Sequence, residues 1–177
     1  VLCSATQPEL GRYLQKNPTE IMENVGELFQ FFKRVIFDID GETDYAEIAK
    51  KLDECEQVLC IASTKKEAEK IFELLDGEAM YLSTNLCPAH RRQIIQKMKT
   101  RLRDGKACRV VSTSIISVGV DIDFPVVYLQ YTGLDSLIQG AGRCNREGRQ
   151  SLQHSRAHIF WTKESKKSPF MRKEKQV

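Results

Sequence analysis

Two arginines at 143 and 146 follow a glutamine at 139 in the run Ser136-Leu137-Ile138-Gln139-Gly140-Ala141-Gly142-Arg143-Cys144-Asn145-Arg146-Glu147-Gly148. On a helix these spacings share a face, so one amide and two guanidiniums can converge on one target. Two like charges on one face repel unless an anion sits between them, which makes a phosphate group the natural ligand. A surface helix with solvated arginines has the same spacing, so the residues alone leave both readings open.

The chain that must position these groups has 177 residues, of which 41% are hydrophobic, enough for one domain with an ordinary core. No apolar run approaches the roughly 18 residues of a membrane span, and the first residues lack the order of a signal peptide. The expectation is a cytoplasmic protein without a membrane partner. Six cysteines at 3, 55, 60, 87, 108 and 144 form no C-x-x-C pair, and His90, His154 and His158 have no ligand spacing. They read as reduced, buried thiols, with no metal site expected.

The net charge of +3 hides an uneven distribution. Residues 38–56 carry eight acids against two lysines, whereas 85–109 carry eight Lys or Arg against Asp104 alone. Residues 163–177 carry six basic residues against two acids. Such basic stretches are either solvated helix faces or nucleic-acid contacts.

From Val35 to Phe160, short β-branched or aromatic runs alternate with longer segments of helical period, the pattern of a parallel sheet covered by helices. The expected strands are Val35 to Asp38, Val58 to Ala62, Ala79 to Ser83, Arg109 to Ser112, Val126 to Tyr131 and Ala157 to Trp161, most of them fully buried. Tyr45, Ile48, Leu52 and Cys55 line one face of a helix from about Asp44 to Glu56. Thr64 and Glu67 have the spacing of a capping box, Ala68, Ile71, Phe72 and Leu75 form the buried stripe, and Gly77 ends that helix. A third helix starts at Pro88, buries Ile94, Ile95, Met98 and Leu102, and closes at Gly105. Pro8, Gly11 and Pro18 break the first 32 residues into short helices, and Ser165, Ser168, Pro169 and the charges around them read as a frayed tail or linker. The division expected is 1–34 as a linker, 35–162 as the main domain and 163–177 as a basic tail.

The run Gln139-Gly140-Ala141-Gly142-Arg143-Cys144-Asn145-Arg146-Glu147-Gly148 resembles motif VI of the superfamily-two helicases. Val111-Ser112-Thr113-Ser114-Ile115-Ile116-Ser117-Val118-Gly119-Val120-Asp121-Ile122-Asp123-Phe124-Pro125 is similar to their motif V. Leu59 to Ala68 looks like motif IV, and Cys3-Ser4-Ala5-Thr6 looks like motif III. Four motifs in order over residues 3–148 form one signal. Within the superfamily the chain most resembles the CRISPR-associated helicase-nuclease of type I systems, through Ser4-Ala5-Thr6-Gln7-Pro8, Tyr81-Leu82-Ser83-Thr84, Cys87-Pro88-Ala89-His90-Arg91, Gly119 to Phe124 and Gly142 to Arg146. In two places it departs: Gly140 stands where many helicases have arginine, and Ser117-Val118 replaces the more usual acidic-small pair.

The resemblance implies an α/β, RecA-like fold, a parallel sheet of about six strands with helices on both faces, acting as the second motor domain. Arg143 and Arg146 would be arginine fingers, Gln139 would bond near the same phosphate or orient water, Asp121 would accept from the ribose hydroxyls, and Gly119 would let the backbone approach closely. Single-stranded DNA would be held through its backbone by the strand-end pairs Ser63 and Thr64, Ser83 and Thr84, and Ser112 and Thr113, each of which could instead be a helix cap or turn. ATP and Mg²⁺ would be held mainly by the first RecA-like motor domain, since no G-x-x-x-x-G-K-[ST] occurs here. Gly105-Lys106-Ala107 lacks the glycine-rich loop, Asp53-Glu54-Cys55-Glu56 ends a helix instead of following a strand, and no phosphate loop precedes Val35-Ile36-Phe37-Asp38. Motif III normally closes the first motor domain, so the chain is expected to begin at that junction and to hydrolyse no ATP by itself. The implied partners are that first domain, single-stranded DNA and a CRISPR RNA-guided surveillance complex. An RNA helicase, a restriction-type translocase or a non-catalytic nucleic-acid-binding module remain the alternatives.

Overall fold

The computed structural model describes residues 24–117 and 119–165. The motif III run, the short helices expected before residue 24, Val118 and most of the basic tail lie outside them. The chain divides into two units, 1–33 and 34–177. In the first, helix α1 (Val25–Phe31) follows Asn24, whose φ of 57° is left-handed, and exposes Phe29 and Phe31.

The second unit is built on strands β1 (Ile36–Glu42), β2 (Gln57–Ile61), β3 (Ala79–Leu82), β4 (Cys108–Ser112), β5 (Val126–Gln130) and β6 (Arg156–Trp161). They form one sheet in the order β1-β6-β5-β2-β4-β3, and every neighbouring pair is parallel. Parallel pairing requires crossovers, and helices α2 (Tyr45–Asp53), α3 (Lys65–Glu73), α4 (Pro88–Arg103) and α5 (Leu134–Ala141) supply most of them. Ile48 and Leu52 of α2 and Ala68 and Ile71 of α3 bury one face of the sheet with Val58, Tyr128 and Phe160. Met98 of α4 and Leu137 and Ala141 of α5 bury the other with Leu59, Val110 and Val127. Helices therefore cover both faces, as the alternating pattern predicts.

Burial is deepest at the centre: β2 and β5 each hide four consecutive side chains. Edge strand β1 differs, because Phe37 is 49% and Ile39 73% exposed. The expectation of mostly buried strands fails here because β1 alternates and the face that carries Phe37 and Ile39 is left uncovered.

Local signals set the helix ends. Asp44 caps α2 by accepting from Glu47 N at 2.8 Å, and Thr64 caps α3 by accepting from Glu67 N at 3.2 Å. At the end of α4, Gly105 (φ 66°) bonds back to Leu102 O and Lys106 N reaches Arg101 O, so the glycine takes the left-handed position that closes the helix. Among the described cysteines, Cys60, Cys108 and Cys144 are buried and free, while Cys87 is exposed, against expectation. Burial pushes the Cys108 thiol up to about 11 and that of Cys144 up to about 12. No helix among the described residues is long and apolar enough to cross a membrane.

Candidate nucleotide and nucleic-acid interface

Helix α5 ends at Ala141 with Gly142 as its C-cap. The helical spacing argument for Gln139, Arg143 and Arg146 is thus corrected: only Gln139 lies on the helix, and the arginines occupy the turn after it. Gly140 lets α5 dock closely, since a Cβ there would sit 2.7 Å from Leu129 Cδ2 and 3.3 Å from Ile61 Cδ1. The glycine in place of a motif VI arginine is therefore a close-packing position.

Although off the helix, both guanidiniums meet the same loop. Arg143 is 7% exposed, donating from Nη1 to Val120 O at 2.7 Å and from Nη2 to Ser117 O. Its Nε is buried without a hydrogen-bond partner among the described residues. Burial, together with the neighbouring Arg146, holds the Arg143 guanidinium below its ordinary pKa, and Asp121 opposes that shift. Arg146 Nε lies 2.8 Å from Asp121 Oδ1. Gly119, with φ 70°, is in the left-handed region and gives the loop a bend that a side chain would resist. Gly119, Asp121, Arg143 and Arg146 are thereby brought to one junction.

The junction is tied together by backbone. Phe124 and Cys144 form a parallel bridge, with Phe124 N donating to Arg143 O at 2.9 Å and Asn145 N to Phe124 O at 3.0 Å. Phe124 precedes β5 by two residues, so the arginine turn lies by the amino end of that strand. Asn145 is left-handed (φ 46°) and buried, and its amide closes the turn through Gln150 N, Gln150 O and Arg34 O. Sequence reading passed over Asn145, although asparagine in a turn is a signal for this conformation.

The hydroxyl pairs lie elsewhere, beyond the carboxyl ends of β2, β3 and β4. Ser63, Thr64 and Thr84 are exposed there. Ser83 and Ser112 are fully buried, which corrects their expected place on an open rim: Ser112 Oγ donates to Leu82 O at 2.8 Å, and Ser83 Oγ accepts from Asn85 N. Thr113 is buried as well. A groove of about 280 Å³ opens beyond the carboxyl ends of β2 and β5, lined by Ser63, Thr64, Ser117, Thr132, Ser136 and Gln139 among others. Gln139 thus faces the hydroxyl groove instead of joining the arginine pair, and Ser117 connects the two regions.

Beneath the groove lies a carboxylate not singled out by sequence reading for more than capping. Glu67 is buried and accepts from Gln130 Nε2 at 2.7 Å, Thr64 Oγ1 at 2.8 Å, Tyr45 OH at 3.2 Å and Ser63 Oγ. Gln130 Oε1 in turn accepts from Ser63 N at 2.9 Å, so the ends of β2 and β5 are locked through one buried pair. Burial, with Glu67 close by, pushes the Tyr45 hydroxyl up to about 12.

A second missed feature is the start of α4. Its N-cap, Cys87, makes no side-chain bond, and its first turn has no acid. Instead Arg91 and Arg92 line a cavity of about 270 Å³ with Leu82, Pro88 and Val120, and Arg91 Nε is buried without a partner among the described residues. Positive side chains at the positive end of a helix are unfavourable unless an anion is present, so this corner suits a phosphate.

A family model described as "CRISPR-associated nuclease/helicase Cas3, C-terminal" matches residues 50–149. The CRISPR-associated nuclease/helicase Cas3 of Methanothermobacter thermautotrophicus is 33% identical over 103 residues, covering 56% of this chain and 12% of that protein. Among solved structures, Cas3-AMPPNP of T. fusca superposes with a TM-score of 0.60 at 15% identity, over 72% of this chain and 18% of the other. The Mycobacterium smegmatis helicase Lhr bound to ssDNA and AMP-PNP gives 0.53 at 15%, over 72% and 20%. The fold is RecA-like, that of a helicase motor domain, and the chain spans a small part of the relatives it matches.

Proposed function

The chain belongs to the Cas3 C-terminal family, and from that premise we propose that it is the second motor domain of an ATP-dependent helicase translocating on single-stranded DNA in CRISPR antiviral defence. The observation that carries the reading is the convergence of Gly119, Asp121, Arg143 and Arg146 on one junction, since a purely binding module needs no such set. ATP, with Mg²⁺, is held mainly by the first motor domain, and this chain completes the site from across the cleft. Arg146 stabilises the charge that spreads over the transferred phosphoryl oxygens, a role typically worth about 10³ to 10⁵ in rate, while Arg143, expected as a second finger, is buried on the Ser117 and Val120 carbonyls and holds the loop beside it. Gln139, on the wall of the hydroxyl groove, takes no part at that phosphate, and Asp121 accepts from the ribose.

Single-stranded DNA runs along the carboxyl end of the sheet, where Ser63, Thr64 and Thr84 are open and Thr113 lies just beneath. Ser83 and Ser112 support that rim from inside. Arg91 and Arg92 at the start of α4 add a phosphate contact beside Leu82 and Val120. The neighbour bound to ssDNA and AMP-PNP supports a track of this kind for the fold. Closure of the two domains around ATP and their parting after hydrolysis move the strand along the rim. A CRISPR RNA-guided surveillance complex would deliver it.

The test is the ATPase rate of the protein that carries this chain together with its first motor domain, measured with single-stranded DNA, RNA or neither. Stimulation by single-stranded DNA alone is expected. Stimulation by RNA alone would replace the reading with an RNA helicase, and no ATPase activity under any condition would leave a binding module.

A further inference from the structure

The turn that presents Arg146 has no regular element of its own, and beside the Asn145 amide one carboxylate ties it. The Phe124 to Cys144 bridge ends with Asn145 N bonded to Phe124 O. The next two amides then point at a side chain: Asp123 Oδ1 accepts from Arg146 N at 2.7 Å, and Asp123 Oδ2 accepts from Glu147 N at 3.2 Å. Successive amides beside a left-handed residue make an anion-binding concavity, and Asn145 at φ 46° supplies that residue. Asp123 fills the concavity from within the chain. Asp121, two positions earlier, faces the guanidinium of the same Arg146. The two carboxylates thus divide the task, one holding the arginine's backbone and the other its side chain.

We propose that Asp123 is a positioning residue for ATP hydrolysis: by bonding both amides it fixes the backbone from which Arg146 reaches the phosphate. The inference rests on the assignment of Arg146 to the nucleotide. Asp123 itself touches neither nucleotide nor water in this scheme. Alanine at 123 leaves two donors without their acceptor, and the turn rearranges to satisfy them. Asparagine keeps one acceptor but turns its NH₂ toward the second amide, so it restores the turn in part. A displacement of about 1 Å in a group that acts on the transition state can reduce turnover about 100-fold.

The experiment is a double-mutant cycle in the protein that carries this chain with its first motor domain, at saturating single-stranded DNA. Asp123→Ala should lower kcat by about 10- to 100-fold with KM for ATP and strand affinity nearly unchanged, and Asp123→Asn should fall between it and the parent. Added to Arg146→Ala, the Asp123→Ala change should slow turnover no further, because both act through one guanidinium. A full multiplicative loss in the double variant, or parent-like kcat in Asp123→Ala beside a slow Arg146→Ala, would overturn the proposal. Parent-like turnover in Arg146→Ala would instead remove the finger assignment, and the inference with it. Should Asp123→Ala fail to fold, the cycle with Asp123→Asn carries the same comparison.

Discussion

Arg146 Nε and Asp121 Oδ1 are 2.8 Å apart, so the groups proposed for the phosphate and the ribose of one nucleotide neutralise each other in the domain alone. Their side chains are 45% and 70% exposed, which makes the pair cheap to break. Arg143 is held in another way, buried and bonded to the carbonyls of Ser117 and Val120. The junction therefore combines a fixed arginine that shapes the 117–120 loop with a releasable one.

That difference is measurable in the 177-residue chain. Asp121→Ala should change the unfolding free energy by less than about 1 kcal/mol, as expected for an exposed ion pair. Arg143→Ala should cost about 1 to 3 kcal/mol, because two half-buried carbonyls lose charged donors and a buried side chain is truncated. Urea denaturation followed by circular dichroism reads both, and equal losses would contradict the distinction.

Gly140 tests the docking of α5. Alanine would add about 1 kcal/mol of helix propensity, yet its Cβ would lie 2.7 Å from Leu129 Cδ2. Overpacking of this kind typically costs about 1 to 3 kcal/mol. Gly140→Ala should therefore lower the melting temperature, and a rise would show that α5 can move away without loss.

How far these features could be read from residues alone depends on the range of the interactions that create them. The parallel sheet and helices α2, α3 and α4 follow from apolar period, Thr64, Pro88 and Gly105, all local signals. The exposure of Phe37 and Ile39 does not, because only the tertiary packing leaves that face of β1 uncovered. At the site, motif order identified Arg143, Arg146, Asp121 and Gly119 as a set. Helical spacing misplaced the arginines, since α5 ends at Ala141 with Gly142 as its C-cap and the chain then turns into the Phe124 bridge. Ser83 and Ser112 look like their exposed counterparts in sequence, and only the tertiary fold buries them. The pair Glu67 and Gln130, separated by 63 positions, was equally invisible.

Acid should expose the tie between β1 and its neighbours. Burial alone would raise the Asp40 carboxyl, but hydrogen bonds from His158 and Lys51 outweigh it and leave the pKa below the model-compound value of 3.8. A carboxyl lowered on folding stabilises above its unfolded pKa and loses that contribution as pH falls through the folded value. The stability advantage of the parent chain over Asp40→Asn should hold at pH 7, begin to shrink near about pH 4 and be gone only below the lowered folded pKa. Urea midpoints of both proteins from about pH 7 down to about pH 2 decide it, and an advantage that does not shrink over that range would exclude Asp40.

Nucleic-acid contact at the start of α4 has an ionic signature. If Arg91 neutralises one phosphate of a single strand, Arg91→Ala should reduce the slope of log affinity against log salt by about 0.7. Fluorescence anisotropy with a labelled oligonucleotide and the two-domain protein gives the slope. An unchanged slope would take the strand off this corner.

The most direct measurement is the steady-state ATPase rate of the two-domain protein carrying Arg146→Ala, at saturating ATP and single-stranded DNA. Turnover is expected to fall by about 10³-fold or more, with strand affinity retained and the fold intact. A rate within a few-fold of the parent would mean that this guanidinium never meets the phosphate.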